Sequence, residues 1–583
     1  MGALLVILGT VACAGAPPLS DSPPSSVSAE VPTGQAADIG LPSPTGYTLP
    51  NEDDEILIRK LEIQKKRKEI LYGPSLIGET SFFPSGQLGD QISQRDQSLW
   101  LQDSAPVVQA AFQEAAAALE DIQSHGGLQD LEDYKIMYDG HWSGSVPGGI
   151  AKGQFSNFTS DLLFAMERLS TNPYILQRLR PYGDELPFAV DSKIVQELTG
   201  STLPSLYEAG CLFLADRSYQ KDYVAQEGRY AAACQALFYL DDRSNQFLPL
   251  AIKTNVRSDL TYTPLDEPND WLLAKVMFNV NDLFHGKIYH LTNSHAVAEI
   301  AHLAALRTMS SRHPVLALLE RLTYQAYAIR PVGDKILFNP GGFFDQNFAF
   351  SNVAVRAFAA DIYPTVAGPV RSNYFEANLR SRGRLNATYR PDLPHFPFYE
   401  DGARIIGAIR AFVTSFVKST YKSDKVLSKD CGLQAWVAEA NGAAMQLVDI
   451  LTHMAWLTGV SHHVLNQGEP VTASGVEKGA IDSLLPWLPN EQKSVEQISL
   501  LARFNRPQVV ENKQTLLHMC NSENLLAGTV KAVAAANERF MEETGHISQE
   551  ISNREFNDEG LSQGMPFVWT GMDPGVIPFY LSV

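Results

Sequence analysis

Five histidines fall within one apolar stretch, Trp271 to Pro314, at positions 285, 290, 295, 302 and 313. Imidazole is the commonest protein ligand for transition metals, so a buried helix carrying this many directs attention to metal chemistry. His290 and His295 stand five residues apart, a spacing at which side chains on a regular α-helix diverge by roughly 140°. Either the two rings act separately, or the helix widens locally. A π-type turn, with i to i+5 hydrogen bonds, brings both onto one face, and such turns gather at functional sites. A second group lies in MAWLTGVSHHVLNQGEP, residues 454–470, where His462 and Asn466 are four apart and share a helical face while His463 points elsewhere. An imidazole and an amide carbonyl suit a divalent transition metal. Alone, the pair equally describes a polar helix end hydrogen-bonded to backbone.

The chain ends GVIPFYLSV, apolar to its last residue where most chains fray. This predicts a docked tail that takes the α-carboxylate of Val583 inward. A buried carboxylate is costly unless it meets an arginine, reaches the surface or binds a metal. Taken together, three histidines, an amide and a terminal carboxylate make five ligands with one position left for solvent, suited to a six-coordinate first-row metal. The set lacks the thiolates of a structural zinc site, and no HExxH is present. Mixed nitrogen and oxygen donors favour iron or manganese, and redox chemistry over hydrolysis.

The elements that must position these groups are mostly helical. In 583 residues, 45% hydrophobic and 19% charged content describe an ordinary globular chain with material for a large core. A formal charge of -19 argues against nucleic acid as a partner. Residues 3–16 form a short apolar run whose Ala12-Cys13-Ala14 suits signal peptidase, although no basic residue precedes it. We therefore expect a signal peptide over 1–14, a Pro/Ser-rich flexible leader over 15–50, and a secreted protein. The sequons at Asn157 and Asn386 would then carry glycans. Four cysteines remain after the signal, read as buried free thiols rather than a disulfide framework.

Folding is expected to begin near Asn51. There a helix carries an apolar stripe at Ile56, Ile58, Leu61 and Ile63, and its basic QKKRK reads as a solvated face rather than a membrane patch. Alanine-rich 107–123 and 157–169 read as further helices, and helical patterns recur at 402–421, 432–458 and 523–543. Runs at 210–219, in ACQALFYL and in FLPLAIKTN flank the turn cluster Asp241–Asn245, predicting a small antiparallel sheet. Neither a GxGxxG nor a P-loop motif occurs, and no internal repeat is seen. The expectation is a mainly α single domain with a minor antiparallel β element.

The sequence resembles lipoxygenases over essentially all of 51–583. The resemblance rests on TPLDEPNDWLLAK (263–275), on HLTNSH (290–295) followed by His313-Pro314, on HHVLN (462–466) and on the PFYLSV terminus, in family order. It implies that His290, His295, His462, Asn466 and the carboxylate of Val583 are the metal ligands. It also implies a helical catalytic domain over 51–583 with a π-type segment at the first histidine pair, and packing or supporting roles for His285, His302 and His313. Plant and animal members carry an N-terminal β-barrel for which this chain has no room, and the family usually ends in Ile. A secreted, barrel-less chain ending in Val is most similar to the fungal manganese members, so one manganese ion is favoured over iron. Many relatives have Gln where this chain has Gly286 and Glu469, positions from which a metal can be tuned.

The family's chemistry implies that a metal(III)-hydroxide abstracts a bis-allylic hydrogen from a polyunsaturated fatty acid such as linoleate or linolenate. O2 then adds to the pentadienyl radical to give a hydroperoxide, with no catalytic side chain beyond the metal-bound hydroxide. Gly333 matches the position where glycine is associated with oxygenation in the R sense, although it reads equally as a turn residue. Leu337 matches the leucine that lies against the pentadiene. Phe343, Phe344 and Phe348 are candidates for the far end of the pocket, or plain core. No stable membrane insertion is expected. A catalytically silent lipid-binding protein on the same fold is the reading from another class.

Overall fold

The computed structural model describes residues 46–73, 84–130, 132–142, 151–256, 259–328, 337–385, 392–440, 446–467, 476–477, 514–520 and 531–581. The expected signal peptide and nearly all of the leader lie outside them.

The first helix, α1 (Ile56–Glu69), forms where expected, but the expected apolar stripe is split: Ile56 and Ile63 are half-buried, whereas Ile58 and Leu61 face outward. Leu57, Ile58 and Leu61 are 72%, 55% and 65% exposed, whereas Lys66 is 2% exposed. The inward face succeeds because its charges are met. Lys66 Nζ donates to the Met309 carbonyl at 2.6 Å and lies 3.3 Å from Glu62, and Arg59 pairs with Asp53 at 3.1 Å and Glu55 at 2.7 Å. Periodicity marks two faces on a helix; which one faces the core depends on partners hundreds of residues away. The alanine-rich segment is the second half of the 39-residue α2 (Gly86–Ser124), which passes through Pro106.

The small sheet has five antiparallel strands in chain order: β1 (Gln177–Arg178), β2 (Leu212–Asp216), β3 (Gln235–Asp241), β4 (Gln246–Lys253) and β5 (Thr261–Tyr262). Asp241 closes the β3–β4 turn by accepting from the Ser244 and Arg243 side chains, as the turn cluster predicts. The period-two alternation places Phe213, Phe238 and Phe247 in the main core and Leu212, Leu237 and Leu250 in a smaller cluster on the other face. Among the described residues no strands close into a barrel.

The long apolar stretch is α3 (Pro268–His290), a π-helical turn (Leu291–His295) and α4 (Ala296–Thr308) in unbroken succession. Pro268 starts it at a position where a missing N–H costs nothing. His313 ends the stretch as the N-cap of α5 (Pro314–Leu322), accepting from the Val315 N–H. The expected 402–421 helix is α6 (Pro397–Thr420). The expected 432–458 helix is divided into Cys431–Glu439 and α7 (Leu447–Trp456); a further π-helical turn, Leu457–Ser461, the second of those beside the histidines, then leads into α8 (His462–Gln467). The last, α9 (Lys531–Ser552), outruns its expected end and packs with α7 against α6. The cysteines are free, but only Cys234 and Cys520 are buried; Cys431 is exposed and Cys211 half-buried, so burial was expected too broadly. No described helix is long and apolar enough to cross a membrane.

Candidate metal centre

Two π turns bring three imidazoles together. His290 closes α3, His295 closes the first π turn, and His462 opens α8 directly after the second. The extra residue in a π turn cancels the divergence that a spacing of five would otherwise impose, as the histidine pair predicts. The ring centroids lie 4.9 Å (His290–His295), 4.6 Å (His290–His462) and 4.7 Å (His295–His462) apart. One nitrogen from each ring falls within 4.8 Å of the others, and all three residues are buried. Polar side chains brace the first turn: Thr292 and Ser294 hydroxyls donate to the carbonyls of Ile288 (2.8 Å) and His290 (2.5 Å), and Asn293 Nδ2 donates to the Ala367 carbonyl at 2.9 Å. The second turn was not foreseen. Its signal is Gly459, where an added Cβ would lie 3.0 Å from Leu516 Cδ1 and 3.3 Å from the Phe579 carbonyl oxygen. A side chain here would press on the C-terminal tail and on Leu516.

Hydrogen bonding sets the tautomers. His463 Nε2 lies 3.1 Å from the Tyr580 carbonyl oxygen, which only accepts, so this nitrogen carries the hydrogen and His463 Nδ1 is left as an acceptor. His462 Nδ1, 3.3 Å away, is then the donor, and His462 Nε2 presents a lone pair. Glu299 Oε1, 3.0 Å from His295 Nδ1, fixes the second ring in the same sense. The two Nε2 atoms face each other at 2.9 Å. Two lone pairs at that distance require a cation, and with a third imidazole beside them the trio fits a metal ion. His462 is held neutral, the ligating form: burial first, then His463, His290, His295 and Lys287, push its pKa well below the usual histidine range.

Asn466 is buried one turn after His462 in α8, on the face the spacing predicts. Val583 lies outside the described residues, but the tail leading to it is held in the interior. Ile577, Phe579, Tyr580 and Leu581 are buried, and the Leu516 N–H donates to the Ile577 carbonyl at 2.8 Å. Lys287, not singled out in the sequence, joins the two halves of the site: it lies one turn before His290, and its Nζ donates to the carbonyls of Leu465 (3.3 Å) and Asn466. A lysine inside an otherwise apolar run was the available signal, since a fully buried lysine must find partners.

The other histidines serve packing. His285 bonds the Tyr219 hydroxyl (2.6 Å), His302 the Tyr327 hydroxyl (2.8 Å) and His313 the Asp430 carboxylate (2.9 Å). Gly286 leaves room for Asn172, whose Nδ2 would lie 3.2 Å from an added Cβ and which donates to the Asp282 carbonyl. A Gln here would displace it. Glu469, Gly333 and Asn386 lie outside the described residues. Leu337, Phe343, Phe344 and Phe348 are buried; the three rings pack on one another at 5.3–6.1 Å, and Phe348 meets Phe284 of α3 at 6.3 Å. Asn157 Nδ2 already donates to the Gly153 (2.8 Å) and Pro566 (3.0 Å) carbonyls, one of which a glycan would have to replace.

A protein-family model described as lipoxygenase matches residues 158–473. A protein from Fusarium oxysporum named manganese lipoxygenase is 78% identical over the whole of both chains. One of the same name from Colletotrichum gloeosporioides is 66% identical over 93% of this chain and 94% of its own. A solved structure named manganese lipoxygenase superposes with a TM-score of 0.89 at 55% identity, covering 92% of this chain and all of that one.

Proposed function

The chain belongs to the lipoxygenase family and is a fatty-acid dioxygenase; on that premise we propose that it uses one manganese ion to convert polyunsaturated fatty acids and O2 into hydroperoxides. The metal is held by His290, His295, His462, Asn466 and the terminal carboxylate of Val583. The observation that carries this reading is the convergence of three buried imidazole nitrogens within 4.8 Å, from helices 167 residues apart at their closest pair. The names of the relatives support manganese over iron. From Tyr580, three further residues span at most about 10 Å, so the carboxylate of Val583 has limited slack. When bound, the metal supplies a one-electron redox couple and a basic oxygen ligand, which removes the need for a separate acid–base pair.

The protein's own contribution is placement and exclusion of water. Glu299 and His463 hold two rings with their lone pairs inward, and Lys287 holds the carbonyl end of the helix that carries Asn466. Replacing Lys287 with methionine is expected to weaken manganese retention by roughly 10- to 100-fold, the usual cost of losing a group that supports a ligand. Competition with a chelator measures it; unchanged retention would remove Lys287 from the account.

Linoleate and linolenate are the proposed substrates, taken in contact with Leu337 and, farther along, Phe343, Phe344 and Phe348. Gly333 directs O2 to the R product. The protein is secreted after loss of residues 1–14 and glycosylated, at Asn386 more readily than at the engaged amide of Asn157. The test is oxygenation of linoleate by the purified chain, followed by conjugated-diene absorbance and chiral analysis, beside Gly333→Ala. We expect a hydroperoxide of R configuration whose proportion falls in the variant. Absence of diene formation with manganese and O2 supplied would overturn the reading.

A further inference from the structure

We propose that the outward face of α1 is a docking surface for anionic lipid membranes. At 100° per residue, Leu57, Ile58, Lys60, Leu61, Gln64, Lys65 and Lys68 fall on one arc of the helix, and all seven are exposed. That arc holds three large apolar side chains and three lysines, and no acid. The acids of the helix, Glu69 and Glu62, fall just outside the arc, about 20° and 40° beyond Ile58, and are largely covered, at 27% and 12% side-chain exposure. Lys65 approaches Glu69 only at 4.0 Å, and the inward charges Arg59 and Lys66 are engaged by Asp53, Glu55, Glu62 and the Met309 carbonyl.

Two features identify the occupant. Leu57, Ile58 and Leu61 are three of the most exposed large apolar residues, contiguous on one face, which is unusual for a helix with a core available beneath it. Of the six basic residues of the helix, Arg59, Lys66 and Arg67 are paired with Asp53, Glu55, Glu62 and Glu439, which leaves Lys60, Lys65 and Lys68 as the cationic part of the outward arc in a chain whose formal charge is -19. A local cationic, apolar face on an acidic protein is complementary to an anionic lipid surface: the leucines and isoleucine enter the boundary between headgroups and acyl chains, and the lysines remain at headgroup level. Adsorption of this kind inserts no spanning helix, in keeping with the absence of any described helix able to span. The proposal stands on the surface alone and goes beyond the oxygenase reading.

The experiment is co-sedimentation of the full chain, manganese bound, with vesicles of phosphatidylcholine containing about one-fifth phosphatidylserine, and with phosphatidylcholine alone. The first should bind and the second bind weakly, and added salt should lower binding to the first. The variant L57S/I58S/L61S is expected to bind roughly tenfold or more weakly, and K60Q/K65Q/K68Q to lose the preference for anionic vesicles. Oxygenation of monomeric linoleate should be unchanged in both, since none of these residues touches the metal centre. Circular dichroism checks that the apolar variant is folded; if it is not, the lysine variant, which alters only exposed charges, decides. Failure of the native chain to sediment, or equal binding by the folded variants, overturns the proposal. So does a native dimer that the apolar variant abolishes, which would assign the face to self-association. Persistence of oxygenation without vesicle binding overturns docking and leaves the enzyme reading intact.

Discussion

Replacing His462 with alanine should strip manganese and oxygenation together while leaving the chain folded. The side chain is fully buried and its Nε2 lies 2.9 Å from that of His295, so its loss leaves His290 and His295 without the ring that completes the buried trio. Losing a supporting group typically costs 10- to 100-fold in metal affinity; losing a ligand exceeds that, so activity should fall by at least about 100-fold. The bound metal also stabilises the fold by mass action. If free metal stands near 100 times its dissociation constant, about 2.7 kcal/mol of stability disappears with it. The signature is a variant with lowered melting temperature, native circular dichroism and little metal, whose melting no longer responds to added manganese. Retained manganese at one per chain would remove His462 from the ligand set.

Adding a single glycine after Val583 should have a comparable effect by a different route. One residue displaces the terminal carboxylate by about 3.5 Å. The chain upstream cannot absorb the slack: Leu516 bonds the Ile577 carbonyl at 2.8 Å, the Phe579 N–H bonds the Gln514 carbonyl at 3.2 Å, and His463 bonds the Tyr580 carbonyl at 3.1 Å. Metal retention depends on having every ligand placed, so the extended chain is expected to purify with little manganese and to oxygenate linoleate at least roughly 100-fold more slowly. Amidation of the terminus, which keeps its position and removes its charge, should act in the same direction. Full metal content in the extended chain would show that the carboxylate is not a ligand.

Much of this site was legible because its residues carry geometric information in their spacing. A five-residue interval between His290 and His295 is incompatible with a shared face on a regular helix, which leaves separate rings or a π turn, and the structure contains the π turn. The His462–Asn466 interval specifies one face of α8 in the same way. The second π turn was hidden because it precedes its histidine and pairs it with nothing; its need for Gly459 becomes visible only when the tail is seen packed against it. Lys287 and His463 were hidden because their partner carbonyls, on Leu465, Asn466 and Tyr580, are distant in sequence; Glu299, four residues after His295, stood at a readable helical spacing and was passed over. The expectation failed for half of the α1 stripe, where Ile58 and Leu61 point outward while Ile56 and Ile63 stay half-buried, because the inward face finds Asp53, Glu55, Glu62 and the Met309 carbonyl. The apolar runs flanking the Asp241–Asn245 turn cluster placed the sheet correctly, since strands buried on both faces, in two separate clusters, read as continuous apolar runs.

The central claim is that three buried imidazoles, with Asn466 and the chain terminus, hold a manganese ion on which fatty-acid oxygenation depends. Its most direct test is elemental analysis of the full chain purified from cells supplied with both manganese and iron, with linoleate oxygenation measured on the same fractions. The account predicts one manganese per chain, and hydroperoxide formation that rises and falls with manganese content. Stoichiometric iron with activity following iron, or undiminished activity in metal-free protein, would contradict it.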